Sequence, residues 1–234
     1  VINEDFKRGT LEPLPWFCMK EQVKVPTLLD VAEANGLKTC SISWPVTRSA
    51  NYDLLFPMIV PYNYVGYNPE QYLIDTMSKD LYDKYFYKYG RYLKGKDRSL
   101  DLFTMDIALD ILEDYEQRDI MIIKMCDLDS ARHKYGVYSV EGKEQLRKHD
   151  EEFGAILEAL RRKGTLQDTN IVILGDHGQT DTNEVIMINV LFKQNGLITT
   201  DDDGNIVDYV CLAHSTGLGA FLELKNPDNK DEYQ

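Results

Sequence analysis

Short apolar runs separated by stretches of helical periodicity constrain this chain more than any other feature. LKTCSISW, DIMIIKMCDLD and NIVILGD each hold enough β-branched and apolar residues for a strand. A helical stretch precedes each of them. VPTLLDVAEANG opens on Pro26 and closes on Gly36, with proline in the first turn and glycine at the C-cap. SLDLFTMDIALDILEDYEQR has Ser99 as its N-cap, and VEGKEQLRKHDEEFGAILEALRRKG is a long amphipathic helix stopped by Gly164. DIMIIKMCDLD is apolar on both faces at its centre, as a buried parallel strand should be. EVIMINV, NIVDYVCLA and GAFLEL are three further expected strands, with DDDGN a turn before the middle one. The alternation predicts an α/β fold, with helices on both faces of a mainly parallel sheet.

The 234 residues are enough for a sizeable core, and 43% hydrophobic with 28% charged is a globular balance. The formal charge is −13, from 39 acids against 26 bases, which argues against a nucleic-acid-binding surface. Solubility accounts for most of those acids, and cation binding is compatible with them. The cysteines Cys18, Cys40, Cys126 and Cys211 form no C-x-x-C pair, and the last three adjoin apolar runs. Buried free thiols and a reducing, cytoplasmic compartment are the expectation. No apolar stretch approaches the roughly 20 residues of a membrane helix, so no membrane association is expected.

Residues 45–95 have a different texture. Four prolines fall between Pro45 and Pro69, and tyrosines crowd NYVGYNPEQY and LYDKYFYKYGRYL. A loop-rich, cap-like excursion is expected, with one helix over about residues 69–89. Its aromatic residues suit a satellite core more often than a substrate wall.

The chain has four histidines. His133, in DLDSARHKYG, His177, in GDHG, and His214, in AHSTG, each follow an apolar strand run. Ligands in open α/β sheets bind beyond the carboxyl ends of strands, so these three are expected to converge on one sheet edge. Asp129 lies four before His133, with Asp127 nearby. Asp176 adjoins His177, between Gly175 and Gly178, which permit a sharp backbone turn. Mixed Asp/His sets select zinc, manganese or iron over calcium. Five ligand-type side chains exceed one tetrahedral site and suit a two-metal centre. His149, beside the Leu146, Phe153 and Leu157 stripe, reads as structural.

LDSARHKYG, LGDHG and AHSTG together resemble the alkaline phosphatase superfamily, most closely its type I phosphodiesterase and nucleotide pyrophosphatase branch. VPTLLDVAEANGLKTCSISWP is similar to the segment after the nucleophile region there, so the resemblance covers about residues 26–224. It implies an alkaline-phosphatase-like three-layer sandwich. It also implies that Asp129, His133 and His214 bind one divalent metal, and Asp176 with His177 a second, zinc being favoured. Such a pair of cations, about 4 Å apart, would activate a Thr or Ser hydroxyl for attack on a small phosphate ester. No stretch here matches the region of that nucleophile. Thr27 falls in the helix after it, and Ser215 and Thr216 read as loop residues. The expectation is therefore a single α/β domain over residues 1–234 that forms part of a larger catalytic domain and is itself inactive. Association through the sheet opening left by the missing strand is a further expectation. The alternatives are a non-catalytic metal-binding or interaction domain, or another superfamily hydrolase acting on phosphomonoesters, sulfates or phosphonates.

Overall fold

Strand β1, Thr39–Trp44, is the centre of the larger of two units. The computed structural model describes residues 19–58, 77, 81–93 and 99–229. They divide after Asp181 into a larger unit, residues 19–181, and a smaller one, residues 182–229. Strand β2, Leu54–Pro57, and strand β3, Ile120–Ile123, flank β1 in the order β2-β1-β3, both parallel to it. Thr39, Cys40, Ser41 and Ile42 are fully buried, as a central strand with covered faces requires.

The alternation of side chains along β1 assigns its neighbours. Cys40 and Ile42 pack with Leu54 and Phe56 of β2 and with Phe103, Ile107, Ala108 and Ile111. Those last four lie on helix α2, Leu100–Asp114. Thr39, on the other face, donates a hydrogen bond to Glu33 of helix α1, Leu28–Ala34. Thr27 starts α1 by a reciprocal cap. Its own N–H donates to Asp30 Oδ2 at 2.6 Å, and the Asp30 N–H donates to Thr27 Oγ1 at 3.3 Å. Gly36 follows with φ +76°, the left-handed turn that the sequence places after this helix.

The connection from β1 to β2 is short for a parallel pair, which ordinarily needs a longer crossover. Val46 and Ser49 adopt left-handed backbone at φ 55° and 61° to make it, and Ser43, where the register of β1 shifts, does so at φ 54°. Such a conformation is costly for a β-branched valine.

Of the expected tyrosine-rich excursion, with its helix over about residues 69–89, residues 59–76, 78–80 and 94–95 lie outside the described residues. The described part, residues 81–93, is helical throughout, opening on a π-helical turn at Tyr82–Phe86. It joins the main core through Tyr85, Phe86, Tyr89 and Leu93. Tyr85 meets Phe56 edge-on, ring centroids 5.5 Å apart. The phenols then find partners on one stripe of α2. Tyr85 donates to Asp114 at 3.0 Å, Tyr89 to Asp110 at 2.7 Å and Tyr92 to Asp106 at 2.9 Å. The acceptors recur every four residues, so one helix face serves the whole series. These tyrosines are core and its polar fastening.

Helix α3, Asp127–Tyr135, begins just past β3, and helix α4, Val140–Lys163, follows after Ser139, whose Oγ accepts the Gly142 N–H at 3.0 Å. Gly164 ends α4 at φ +79°. Leu160 and Ala159 of α4 pack on Leu112 of α2. Among the described residues no helix is long and apolar enough to cross a membrane.

NIVILGD corrects the sequence reading. Among the described residues, Ile171, Val172, Ile173 and Leu174 lie in no ladder, and Val172 and Ile173 are 79% and 73% exposed. Apolar patterning selects burial, but a strand also needs a neighbour to take its amides. EVIMINV also differs: Val185, Ile186 and Met187 are exposed, and its end enters helix α5, Ile188–Gln194. Asn189 fastens that helix, for its side chain bonds both the N–H and the C=O of Ala213, each at 2.8 Å.

The smaller unit is antiparallel. Strands β4, Ile198–Thr200, and β5, Ile206–Tyr209, form one pair, and β6, Cys211–Ser215, and β7, Ala220–Leu224, another. NIVDYVCLA, expected as one strand, is therefore two, separated at Val210. The Val210 N–H donates to Leu197 and its C=O accepts from Lys225, so the break exchanges one partner for the other. The DDDGN turn forms as read, with Asp201 Oδ1 accepting from the Asp203 and Asn205 amides.

Tyr89→Phe should cost about 1 kcal/mol, one buried hydrogen bond, and lower the melting temperature by roughly 2–4 °C. Asp110→Ala should cost at least as much, because it strands the Tyr89 phenol and removes the partner of the exposed Lys88 ammonium. Calorimetric melting of both variants decides it; coincidence of Asp110→Ala with wild type would remove the fastening role.

Candidate functional site

Helix α3 supplies the first pair of chemically notable groups because its third and seventh residues, Asp129 and His133, fall on one face. Asp129 Oδ1 stands 3.4 Å from His133 Nε2, four positions along. The Asp-His-Gly segment comes to the same place. His177 Nε2 lies 3.9 Å from Asp129 Oδ1 and 3.8 Å from Asp176 Oδ1. Two contacts outside the ligand-type residues hold the segment there. Gln179 donates to Asp129 Oδ1 at 2.8 Å, and Asp181 Oδ1 accepts the Val137 N–H at 2.8 Å, just past the end of α3. Lys124, the residue after β3, pairs with Asp176, and its ammonium holds the Asp176 carboxyl below its ordinary range. All four side chains are accessible to solvent.

His214 belongs to the smaller unit and sits within β6 rather than beyond it. Its Nε2 is 2.9 Å from Glu223 Oε2 on β7, and Glu223 Oε1 accepts the Tyr209 hydroxyl at 2.7 Å. Each imidazole that ligates a metal ordinarily has its second nitrogen held by such a carboxylate.

His149, on α4, faces a buried acid. Its Nε2 meets Asp101 Oδ2 at 2.6 Å, and with Glu152 these residues place one ligand-type atom each within 4.8 Å of one another. Asp101 is 1% exposed and already engaged. Its Oδ1 accepts the Cys126 N–H at 2.6 Å and its Oδ2 the Asp127 N–H at 3.0 Å. Asp127, which the sequence places near the ligands, faces this group instead. Its Oδ2 accepts from Ser99 Oγ at 2.5 Å and from the Asp101 N–H at 3.4 Å.

The electrostatics of this buried group run against ionisation of Asp127 and Glu152. Burial raises the Asp127 carboxyl, and the charge of Asp101 adds to it. Glu152, whose Oε2 is buried with no hydrogen-bond partner, is pushed up to about 7 by burial and then by Asp101. Burial works against a charged His149 ring, but the Asp101 hydrogen bond and the surrounding carboxylates outweigh it and raise its pKa. Cys126, at the start of α3, is pushed up to about 12 by burial and then by Asp101, so it is no nucleophile at neutral pH. Thr27 is committed to capping α1.

Sequence patterning overlooks Asp101, Gln179 and Lys124. For Asp101 a signal exists. It shares the helical stripe of Thr104, Ala108 and Ile111, all buried, while Asp106, Asp110 and Asp114 line another face. An acid on the buried stripe needs a partner. Gln179 and Lys124 carry no pattern of their own.

An open-faced group of Asp and His side chains beyond a parallel strand is an arrangement of α/β hydrolases that handle anionic substrates. The sequence profile of the type I phosphodiesterase / nucleotide pyrophosphatase family matches residues 2–233, and the chain belongs to that family. It is 32% identical over 94 residues, 40% of this chain and 10% of the relative, to ectonucleotide pyrophosphatase/phosphodiesterase family member 3 of Bos taurus. It is 22% identical over 238 aligned positions, 99% of this chain and 30% of the relative, to ectonucleotide pyrophosphatase/phosphodiesterase 1 of Saccharomyces cerevisiae. The chain thus spans between a tenth and a third of the curated relatives it matches. No solved structure matches it.

The raised acid makes stability depend on pH. Between its ordinary value of 4.5 and about 7, Glu152 is ionised in the unfolded chain but protonated in the folded one, so stability falls as pH rises through that window. His149 acts with the same sign, its contribution being lost as pH rises through its raised folded value. Glu152→Gln should therefore raise the melting temperature at pH 8 and change it little at pH 5. An equal effect at both would show that Glu152 titrates normally.

Proposed function

We propose that this chain carries the metal-binding part of a phosphodiester or nucleotide pyrophosphate hydrolase of alkaline-phosphatase-like, three-layer architecture. What supports the reading is the meeting of Asp129, His133, Asp176 and His177 at one place, on segments that follow β3 and the 171–174 run. The donor set suits zinc, manganese or iron, hard carboxylate oxygen with borderline imidazole. Asp129 and His133, with His214 as the third donor by its motif, would hold one divalent cation, and Asp176 with His177 a second. Such cations supply charge neutralisation at a phosphate ester and acidify a bound oxygen.

The chain's own residues do the remaining work. Gln179 fixes the orientation of the Asp129 carboxylate by its amide N–H. Glu223 fixes the tautomer and ring plane of His214. Lys124 neutralises Asp176 and keeps a cationic group beside the place where an anionic substrate would arrive. The substrate is a small-molecule phosphate ester. The whole site being one α/β domain, with residues 45–95 as a cap-like excursion, is part of the same proposal.

Zinc titration of alanine variants tests it. Asp129→Ala, His133→Ala and His214→Ala should each weaken the tighter binding step by at least about 10-fold, and His177→Ala should affect only a weaker step. Unchanged binding in all four would dispose of the site.

Hydrolysis by the chain alone should be poor, since no serine or threonine in it stands in a motif that assigns it as nucleophile. With zinc, turnover of bis-p-nitrophenyl phosphate is expected far below the ordinary enzymic range of about 1–1000 per second. Turnover within that range would mean that one of its own hydroxyls is the nucleophile.

A further inference from the structure

The buried group around Asp101 is well placed to act on the candidate ligands without touching them. Two helices begin side by side there. Helix α2 starts at Leu100 and helix α3 at Asp127, and each start leaves backbone N–H groups that need acceptors. The two acids exchange this service. Asp101, in the first turn of α2, accepts the Cys126 and Asp127 amides at the start of α3, at 2.6 and 3.0 Å. Asp127, in the first turn of α3, accepts the Asp101 amide and the Ser99 hydroxyl at the start of α2. His149, from the middle of α4, closes the arrangement on Asp101 Oδ2 at 2.6 Å. Because a carboxylate only accepts, His149 Nε2 is the donor.

A metal in this group is disfavoured by the same distances. Both Asp101 oxygens already accept backbone amides, and a nitrogen and an oxygen 2.6 Å apart share a proton more readily than an ion, whose ligands at about 2.0–2.2 Å stand further from each other. The arrangement instead fixes where α3 begins and how it is turned about its axis. Asp129 is two residues into that helix from Asp127, and His133 is one turn beyond.

We propose that Asp101, held by His149, is the positioning residue of the candidate metal site, setting the start of α3 so that Asp129 and His133 present their ligand atoms together. This rests on the reading of Asp129 and His133 as metal ligands. In this role Asp101 binds no metal itself and makes its contribution through the backbone of α3. In Asp101→Asn one acceptor becomes an NH2 group that faces the Asp127 and His149 donors, so the tie to α3 is broken on that side. His149→Leu removes the group that holds Asp101, whereas His149→Gln retains an N–H donor at the same reach.

Cobalt(II) titration of the full chain, followed by visible absorption, is the test, with thermal melting of each variant to establish folding. Asp129→Ala serves as the reference for a lost ligand. Asp101→Asn and His149→Leu should bind cobalt about 10–100-fold more weakly than wild type, the usual effect of an outer partner. At saturation their spectra should match wild type, because the ligands are unchanged. His149→Gln should recover most of the loss, which a merely space-filling histidine would not allow. If Asp101→Asn fails to fold, the His149 pair decides alone. Folded Asp101→Asn and His149→Leu binding as wild type would overturn the proposal while Asp129→Ala still weakened binding. If Asp129→Ala binds as wild type, the ligand reading itself falls and takes this proposal with it. Equal, severe losses in His149→Gln, His149→Leu and Glu152→Gln, with an altered spectrum, would make Asp101, His149 and Glu152 the ligands and overturn the positioning role.

Discussion

The burial of β1 is the constraint on which the larger unit depends. Four consecutive residues, Thr39 to Ile42, lose all contact with water, and parallel ladders on both sides take up their backbone groups. A strand in that state has no freedom of register, since a slip by one would turn Cys40 and Ile42 away from Phe103 and Ile107. The Thr39 hydroxyl adds a polar marker by bonding Glu33. With β1 fixed, β3 is fixed beside it, and α3 starts four residues beyond the end of β3. The position of Asp129 and His133 is inherited from a strand that carries neither.

Carboxylates in this chain serve the backbone to an unusual degree. Asp30, Asp101, Asp119, Asp127, Asp181 and Asp201 each accept a main-chain N–H. Composition presents the acids as a solvated surface with a net charge of −13. The structure gives several of them the work that Ser and Asn do at helix starts and turns elsewhere, with the stronger bond that an ionised acceptor makes. The same acids link segments far apart in sequence, as Asp119 does with Lys38 and Asp181 with Val137.

What could be read beforehand follows from how local each cause is. The helices α1, α2 and α4 were legible because their signals are local: a capping serine at Ser99, periodic stripes, and terminal glycines at Gly36 and Gly164; the caps at Thr27 and Ser139 come from the structure, which starts α1 at Leu28 and leaves Pro26 just ahead of it. LKTCSISW was legible as a strand because its neighbours exist. NIVILGD, with the better strand composition, was not, because ladder partners are a property of the assembled sheet. The Asp129, His133, Asp176 and His177 group was legible from motif spacing. Asp101 and Gln179 were not, since their roles arise from contacts 25 to 50 positions away. His149 reads as structural from its sequence neighbours, and the structure sets it against a buried carboxylate that the sequence does not announce, in a group whose donor atoms lie within 4.8 Å of one another.

The bare run Ile171, Val172, Ile173 and Leu174 has a colloidal consequence. It offers unladdered backbone and β-branched side chains, the combination from which chains add to one another edge to edge. What opposes that contact in solution is mutual repulsion between copies that each carry many more acids than bases. Repulsion of this kind vanishes near the isoelectric point, about 4.7, and shrinks whenever salt shortens its reach. Copies of this chain should therefore adhere to one another more readily as the buffer nears that acidity or gains salt.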